Sequence, residues 1–410
     1  MLSILINAYA CSPGMGSEPG MAWNWCVNLA NYCELYIITE GEFQEKIEEV
    51  LPTLPQGKNM HFFYNPVSDK IRKMCWNQGD WRFYKHYKKW QWKTYKIALD
   101  IISQYHIDIV HQLNMIGFRE PGYLWKLSEE IGIPFVWGPV DAKEKFPISY
   151  LDGVSIKQKV FIRLKNILTG LQSKYSNRVK NAVFKAACVI SASSESQKSL
   201  RKYFHKDSML LNETGCYLRK DKILPKKRFK DSFDLLWVGK LDVRKQLNLA
   251  IRTLAFLSNR NIRLHIVGSG DTTQYKLLAE KLGIKDLCIW HGVVDHNRVQ
   301  QIMQESDLFF FTSVAEGTPH VVLESISNGL PVLCFNCCGQ GDSVNRSVGM
   351  KIELSTPQQS ICEFADKITY LYHHRDKLEE LSDNCRIRQQ ELSWEEKAKK
   401  MVDLYQMVVK

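Results

Sequence analysis

Glu316-Gly317-Thr318-Pro319-His320-Val321-Val322-Leu323-Glu324-Ser325-Ile326-Ser327-Asn328-Gly329-Leu330-Pro331-Val332 decides the reading of this chain. Glu316 is expected on a tight turn and Glu324 on the helix that the turn opens. Thr318 is placed to cap that helix, and Pro319 suits its first turn. Gly329-Leu330-Pro331 then closes the helix ahead of an apolar strand. A helix start offers backbone N–H groups and the positive end of a dipole to an anion such as a diphosphate. A Glu on the turn can meet sugar hydroxyls, and one on the helix can accept from a ribose. Together these features describe a site for a nucleotide sugar.

Working outward, strand-like runs at 308–311 and 332–335 flank this helix. Upstream, 233–239 and 263–270 are apolar runs ending in glycine, each followed by a helical pattern, and 287–290 is a further short strand. The first half repeats the rhythm. Strands are expected at 2–8, 34–39, 107–111, 133–137 and 187–192, with an apolar helix at about 21–31. Strands alternating with helices predict parallel sheets covered on both faces. Ligands are then expected beyond the carboxyl ends of the strands.

A length of 410 residues suits two domains of about 200 residues each. The polar stretch from Lys220 to Lys230, within 205–232, reads as the linker. The predicted division is 1–205, 206–392 and a final helix in 393–410. A hydrophobic share of 45% with 24% charged residues describes a globular chain with ample core. The start lacks the basic flank and length of a signal peptide, and no apolar run is long enough to span a bilayer. A cytoplasmic location follows as the expectation. Twelve cysteines are then expected as reduced thiols, and the single C-x-x-C at 334–337 has no partner pair for zinc. Residues 1–205 hold 26 Lys+Arg against 18 Asp+Glu, so most of the net charge of +11 lies there.

Gly239-Lys240-Leu241-Asp242-Val243-Arg244-Lys245-Gln246 follows a strand directly, about 70 residues before Glu316. Together with the opening run it resembles retaining glycosyltransferases of family 4, which have the GT-B fold. The resemblance implies an α/β architecture of two Rossmann-like doubly wound parallel-sheet domains facing a central cleft. The first domain would bind acceptor and the second a nucleotide sugar, with the C-terminal helix returning toward the first. By position, Lys240 and Lys245 would hold the donor diphosphate, Glu316 the sugar hydroxyls and Glu324 the ribose. Gly317, Thr318, Pro319 and His320 would add contacts to the donor, and Gly268 would shape the base pocket. Lys240 stands where the family has Arg and Gln246 where it has Gly, so Lys240 would bind phosphate as a point charge without a bidentate fork. Closure of the two domains would exclude water as a competing acceptor.

The loop Cys11–Gly20 resembles the family's glycine loop, with Gly16 near the donor and Glu18 toward the acceptor or the helix start. Its glycines do not fit G-x-G-x-x-G, which argues against a nicotinamide oxidoreductase. The family's first-domain His has no counterpart in Pro134–Asp141. Asp141 or His111 is the candidate for that place on the sugar side. The 339–342 turn occupies the place of a family glycine-glycine-x-x-Glu turn and takes no role. No Asp-x-Asp occurs in the sequence. Cations and a helix N-terminus are expected to hold the diphosphate instead, with no metal and no cofactor.

Residues 70–96 carry nine Lys+Arg against one acid, interleaved with tryptophan, tyrosine and phenylalanine, and 157–185 carry eight basic residues and no acid. Such segments suit an anionic membrane surface. Nucleic acid is the rival anion, but no nucleic-acid motif accompanies them. The plain alternative is a helix with an aromatic core stripe and a solvated basic face. The expectation from this reading is a metal-independent, retaining hexosyl-type glycosyltransferase, peripheral at the inner face of a membrane. It would move a sugar from a UDP-sugar, favoured over a GDP-sugar, to a hydroxyl of a glycan or lipid-linked acceptor in cell-surface polysaccharide or glycolipid synthesis. A nucleotide-sugar epimerase on the same fold, or a catalytically degenerate scaffold of a polysaccharide-assembly complex, are the alternatives.

Overall fold

The computed structural model describes all residues except 78–79, 143–144, 152, 219–231 and 258. The whole of Lys220–Lys230, the stretch read as the linker, therefore lies outside the described residues. The chain divides into two compact units. The first comprises Met1–Glu144, Leu168–Thr214 and Trp394–Lys410, and the second Lys145–Ile167 and Gly215–Ser393.

The first unit holds a seven-stranded parallel sheet. Its strands are β1 (Leu2–Ala8), β2 (Cys33–Thr39), β3 (Met60–Tyr64), β4 (Ile109–Asn114), β5 (Phe135–Val140), β6 (Cys188–Ser191) and β7 (Met209–Leu210). Their order is β3-β2-β1-β4-β5-β6-β7. β1 and β4 are buried almost throughout, as central strands covered on both faces must be. The C-terminal helix Trp394–Val409 belongs to this unit. Trp394, Met401, Leu404 and Tyr405 join one core cluster with Trp25 and Leu29 of the helix Ser17–Leu29.

The second unit holds a six-stranded parallel sheet of β8 (Phe233–Val238), β9 (Ile262–Val267), β10 (Cys288–Gly292), β11 (Leu308–Phe311), β12 (Val332–Phe335) and β13 (Gly349–Ile352). The order is β10-β9-β8-β11-β12-β13, the doubly wound arrangement whose direction reverses between β8 and β11. Leu308-Phe309-Phe310-Phe311 is wholly buried, with alternate rings entering the two core clusters on opposite faces. Each unit is Rossmann-like, and the two together are those of the GT-B fold.

Three strands escaped the sequence reading. Met60–Tyr64, Met209–Leu210 and Gly349–Ile352 are all short, of five, two and four residues. Residues 145–167, placed by sequence in the first domain, pack in the second unit. Tyr150 is the anchor: it joins that unit's core, its hydroxyl lies 2.8 Å from Ser360 Oγ, and its carbonyl accepts from Gln246 at 2.8 Å.

The basic aromatic segment 70–96 resolves into core and surface. Phe83, Tyr87 and Trp90, on the helix Phe83–Gln104, are buried against Tyr9. Trp76, Trp81, Tyr84 and Trp92 remain exposed. Half of its aromatic interleaving is therefore a helical core stripe.

Candidate functional site

The second unit gathers its functional side chains at the reversal between β8 and β11. There two adjacent strands send their connections to opposite faces and leave a crevice at their carboxyl ends. The loop after β8 carries Lys245 and the loop after β11 carries Glu316. Lys245 Nζ lies 2.7 Å from Glu316 Oε1, both side chains being mostly buried. The ammonium also sits 5.0 Å from the centre of the Phe311 ring, where a cation is attracted to the π face. Ser313 Oγ donates to Glu316 Oε1 at 2.5 Å, and the Glu316 N–H donates to Cys338 Sγ at 3.3 Å.

Backbone bonds lock the two loops together. Val314 N–H donates to Arg244 O at 2.9 Å, and Thr312 Oγ1 lies 2.8 Å from Lys245 O. Arg244 forks onto Asp242 at 2.6 and 3.2 Å, which fixes the turn that precedes Lys245. Gln246 explains one departure from the family pattern. Its φ is +51°, in the left-handed region where glycine is favoured. The side chain offsets that strain by donating to Tyr150 O at 2.8 Å and Val243 O at 2.6 Å. Lys240 is exposed on the same loop.

Gly268 ends β9 beside this loop with φ of +149°, and a Cβ there would stand 1.8 Å from Gly239 O. No other residue permits that approach.

The helix after β11 runs His320–Ser327. Pro319 occupies the cap position and no side chain caps it, which corrects the expectation for Thr318. Thr318 is instead buried against Gly339, where an added Cβ would come within 2.5 Å of Thr318 Oγ1. Gly339 N–H donates to Gly317 O at 3.0 Å. Residues 339–342, expected as a turn and given no role from sequence, lie in the short helix Cys338–Ser343, which thus supports the loop that carries Glu316.

Glu324 and His320 lie one helical turn apart and line a cavity of about 510 Å³. Its other walls include Tyr217, His296 and Gln300. Burial pushes the Glu324 carboxyl up, against the opposing pull of His296 and a 3.4 Å bond from Gln300 Nε2. Burial also pulls the His320 imidazole down. The cavity thus combines a carboxylate acceptor, amide donors and an aromatic edge, a set able to hold a ribose and a base.

Ser313, Phe311, Cys338, Gln300 and Tyr217 were not singled out from sequence. For Thr312-Ser313 a signal existed, since two hydroxyl residues follow at once on four buried apolar ones at a strand's carboxyl end.

The first unit has its own reversal, between β1 and β4. Gly16 caps the helix Ser17–Leu29 there and faces open space. Glu18 Oε1 accepts from the Ile116 N–H at 3.2 Å, while its Oε2 is buried with no partner. Burial raises the Glu18 carboxyl to about 7, and the charges of Glu213 and Asp141 add to the effect. Asp141, at the end of β5, accepts from Ser196 Oγ at 3.2 Å.

His111 takes a different place from the one expected of it. It is wholly buried in β4, with Nδ1 2.5 Å from Tyr405 Oη and Nε2 2.6 Å from Gly138 O. Burial pulls it to about 4, so it is neutral at pH 7 and acts as a tie between the sheet and the C-terminal helix.

Glu18 carries a stability prediction. A carboxyl raised from about 4.5 to about 7 on folding stabilises fully below the lower value, and that stability is lost as pH rises through about 7. Glu18→Gln is therefore expected to lose this dependence and to gain on the order of 3 kcal/mol at pH 8 relative to pH 4.5. Denaturant melts of both proteins across that range check it, and parallel curves would refute the raised carboxyl.

Residues 219–388 match the family described as Glycosyl transferases group 1. That segment of the chain is similar to group 1 glycosyl transferases. Among curated relatives, CapJ of Staphylococcus aureus is 32% identical over 102 residues, 24% of this chain and 26% of that protein. The lipopolysaccharide glucosyltransferase WaaG of Escherichia coli K12 is 35% identical over 108 residues, 26% of this chain and 28% of its own length. These matches span little more than a quarter of each relative. Solved structures extend the likeness in fold to the whole chain. The lipopolysaccharide outer core galactosyltransferase WaaB, apo form, aligns over 98% of this chain and 99% of its own with a TM-score of 0.66 at 16% identity. Anabaena HepE in complex with UDP-glucose aligns over 99% of this chain and 100% of its own, at 0.59 and 16%. The matched segment includes every second-unit residue named above from Lys240 to Glu324.

Proposed function

We propose that this protein is a retaining glycosyltransferase that moves a hexose from UDP-hexose to a hydroxyl of a glycan or lipid-linked acceptor, without a metal ion. The observation that carries the reading is the Lys245–Glu316 pair at 2.7 Å, set at the reversal of the sheet that also holds the Glu324 cavity. Before donor binds, the carboxylate keeps the ammonium neutralised in a mostly buried place. A diphosphate would take the ammonium and leave Glu316 to accept from sugar hydroxyls, so charge stays balanced as the sugar seats. Lys245, with Lys240 at the rim, would then stabilise charge developing on the leaving diphosphate, the kind of term that dominates transfer barriers. The leaving phosphate itself would take the acceptor proton on the same face, which gives retention and needs no protein base.

UDP is favoured because HepE, similar in fold, was solved with UDP-glucose. Cell-envelope polysaccharide or glycolipid synthesis is favoured by the names of WaaG and WaaB. Glu18, at the first unit's reversal, is the acceptor-side group we favour, with Asp141 beside it in charge if not in contact. Placement at the cytoplasmic face of a membrane belongs to the same reading.

Thermal unfolding with UDP, GDP and NAD, on wild type and Glu324→Gln, tests it. At about 100 Kd a ligand stabilises by about 2.7 kcal/mol. The expected result is a shift with UDP that the substitution removes. A shift with NAD alone would overturn the reading, as would product analysis finding an epimerised donor with no acceptor present.

A further inference from the structure

The helix Ile156–Tyr175 packs through its polar side and turns its apolar side outward. Asn166 is buried and exchanges two 3.0 Å hydrogen bonds with the Phe146 backbone. Thr169 accepts from Arg119 at 2.7 Å, and Gln172 donates to Arg119 O at 3.3 Å. These residues fall along one side of the helix at its 100° spacing. Ile156, Val160, Leu164, Ile167, Leu168 and Leu171 fall on the opposite side, and all are exposed. Ile156 is 80% exposed, Leu168 63% and Leu164 54%, with Phe161 at 66% beside them. An amphipathic helix of a globular protein ordinarily buries such a stripe.

Charge says what covers it. Arg163 and Lys165 border the stripe on its two sides, Lys157 lies in line with it, and no acid occurs anywhere in 157–185. A second copy would bring two sets of these cations together. An anionic bilayer surface would match them while taking the apolar side chains into its acyl boundary. No helix among the described residues is long and apolar enough to cross a membrane, so the contact is one of lying on the surface.

We propose that the outward stripe of Ile156–Tyr175 is a membrane-docking element that seats in an anionic lipid surface. It deepens the peripheral placement given above, but its test is independent of donor chemistry. The 70–96 segment lacks such a stripe, because half of its aromatics are core.

Sedimentation with phosphatidylglycerol-containing vesicles, against pure phosphatidylcholine vesicles, is the experiment. Wild type is expected to bind the anionic vesicles, weakly at high salt, and to bind neutral ones poorly. The Leu164→Asp/Leu168→Asp double variant is expected to bind at least about tenfold more weakly, and each of Lys157→Ala and Lys165→Ala about fivefold. All four sites are exposed, so the variants should melt with the wild type, which a thermal scan checks. Undiminished vesicle binding by the double variant would overturn the proposal. So would no binding by wild type at low salt, or a dimer in light scattering that the double variant abolishes while vesicle binding persists.

Discussion

Replacing Lys245 by alanine is expected to cut kcat/KM for transfer from UDP-sugar about a thousandfold, at the upper end for loss of one oriented donor. Two effects add. The leaving diphosphate loses its only well-buried cation among the described residues of the β8 and β11 loops. Glu316 also loses its counter-ion and is left with the Ser313 hydroxyl at Oε1, so its carboxylate is held poorly for the sugar. Lys240→Ala is expected to cost far less, about tenfold, because an exposed ammonium is already screened by water. The comparison is diagnostic. Equal losses would mean that the two lysines act as a general basic field, and an active Lys245→Ala would remove the pair from the mechanism. Lys245→Arg separates charge from shape: a fork in a pocket built around a point charge is expected to restore only part of the activity.

What the sequence made legible follows what local chemistry can encode. The β11 run Leu308–Phe311, the helix carrying Glu324 and the β8 loop each announce themselves by short-range pattern, whereas the 2.7 Å pairing of Lys245 with Glu316 is a contact that the pattern did not state. Contacts made by distant residues were not legible. His111 looked available at a strand end, yet Tyr405, 294 residues away, closes over one side of its ring. Thr318 looked like a cap, yet Gly339 from the next connection packs on it and the helix starts at His320. Gln246 looked like a damaged glycine site, yet Tyr150 supplies the carbonyl that makes a left-handed glutamine tolerable. Periodicity alone would also have buried the apolar stripe of 156–175. Which side of an amphipathic helix faces inward depends on partners such as Phe146 and Arg119, and no local pattern names them.

Gly268→Ala is expected to be the most damaging single substitution of the second unit, costing about 3–5 kcal/mol of its stability. The residue meets two separate demands. Its φ of +149° lies in a region open to glycine and strained for any L side chain. Relaxing that angle would not suffice, because the added Cβ would still point at the Gly239 carbonyl, 1.8 Å from the oxygen and 2.8 Å from the carbon. Backbone, unlike the far end of a flexible side chain, can yield only by moving its whole loop. That loop is tied on both sides, with Gly239 N–H donating to Val267 O at 3.0 Å and Leu241 N–H to Ser269 O at 2.8 Å. Displacing it would carry Lys240 and Lys245 away from Glu316. The variant is therefore expected to lose the UDP-induced thermal shift as well as stability. Gly16→Ala is the contrast, since a Cβ there meets open space and the backbone is extended. It is expected to unfold within about 0.5 kcal/mol of wild type. Paired denaturant melts decide the matter, and a Gly268→Ala protein that melts with the wild type would show that the two loops are not held in the contact described.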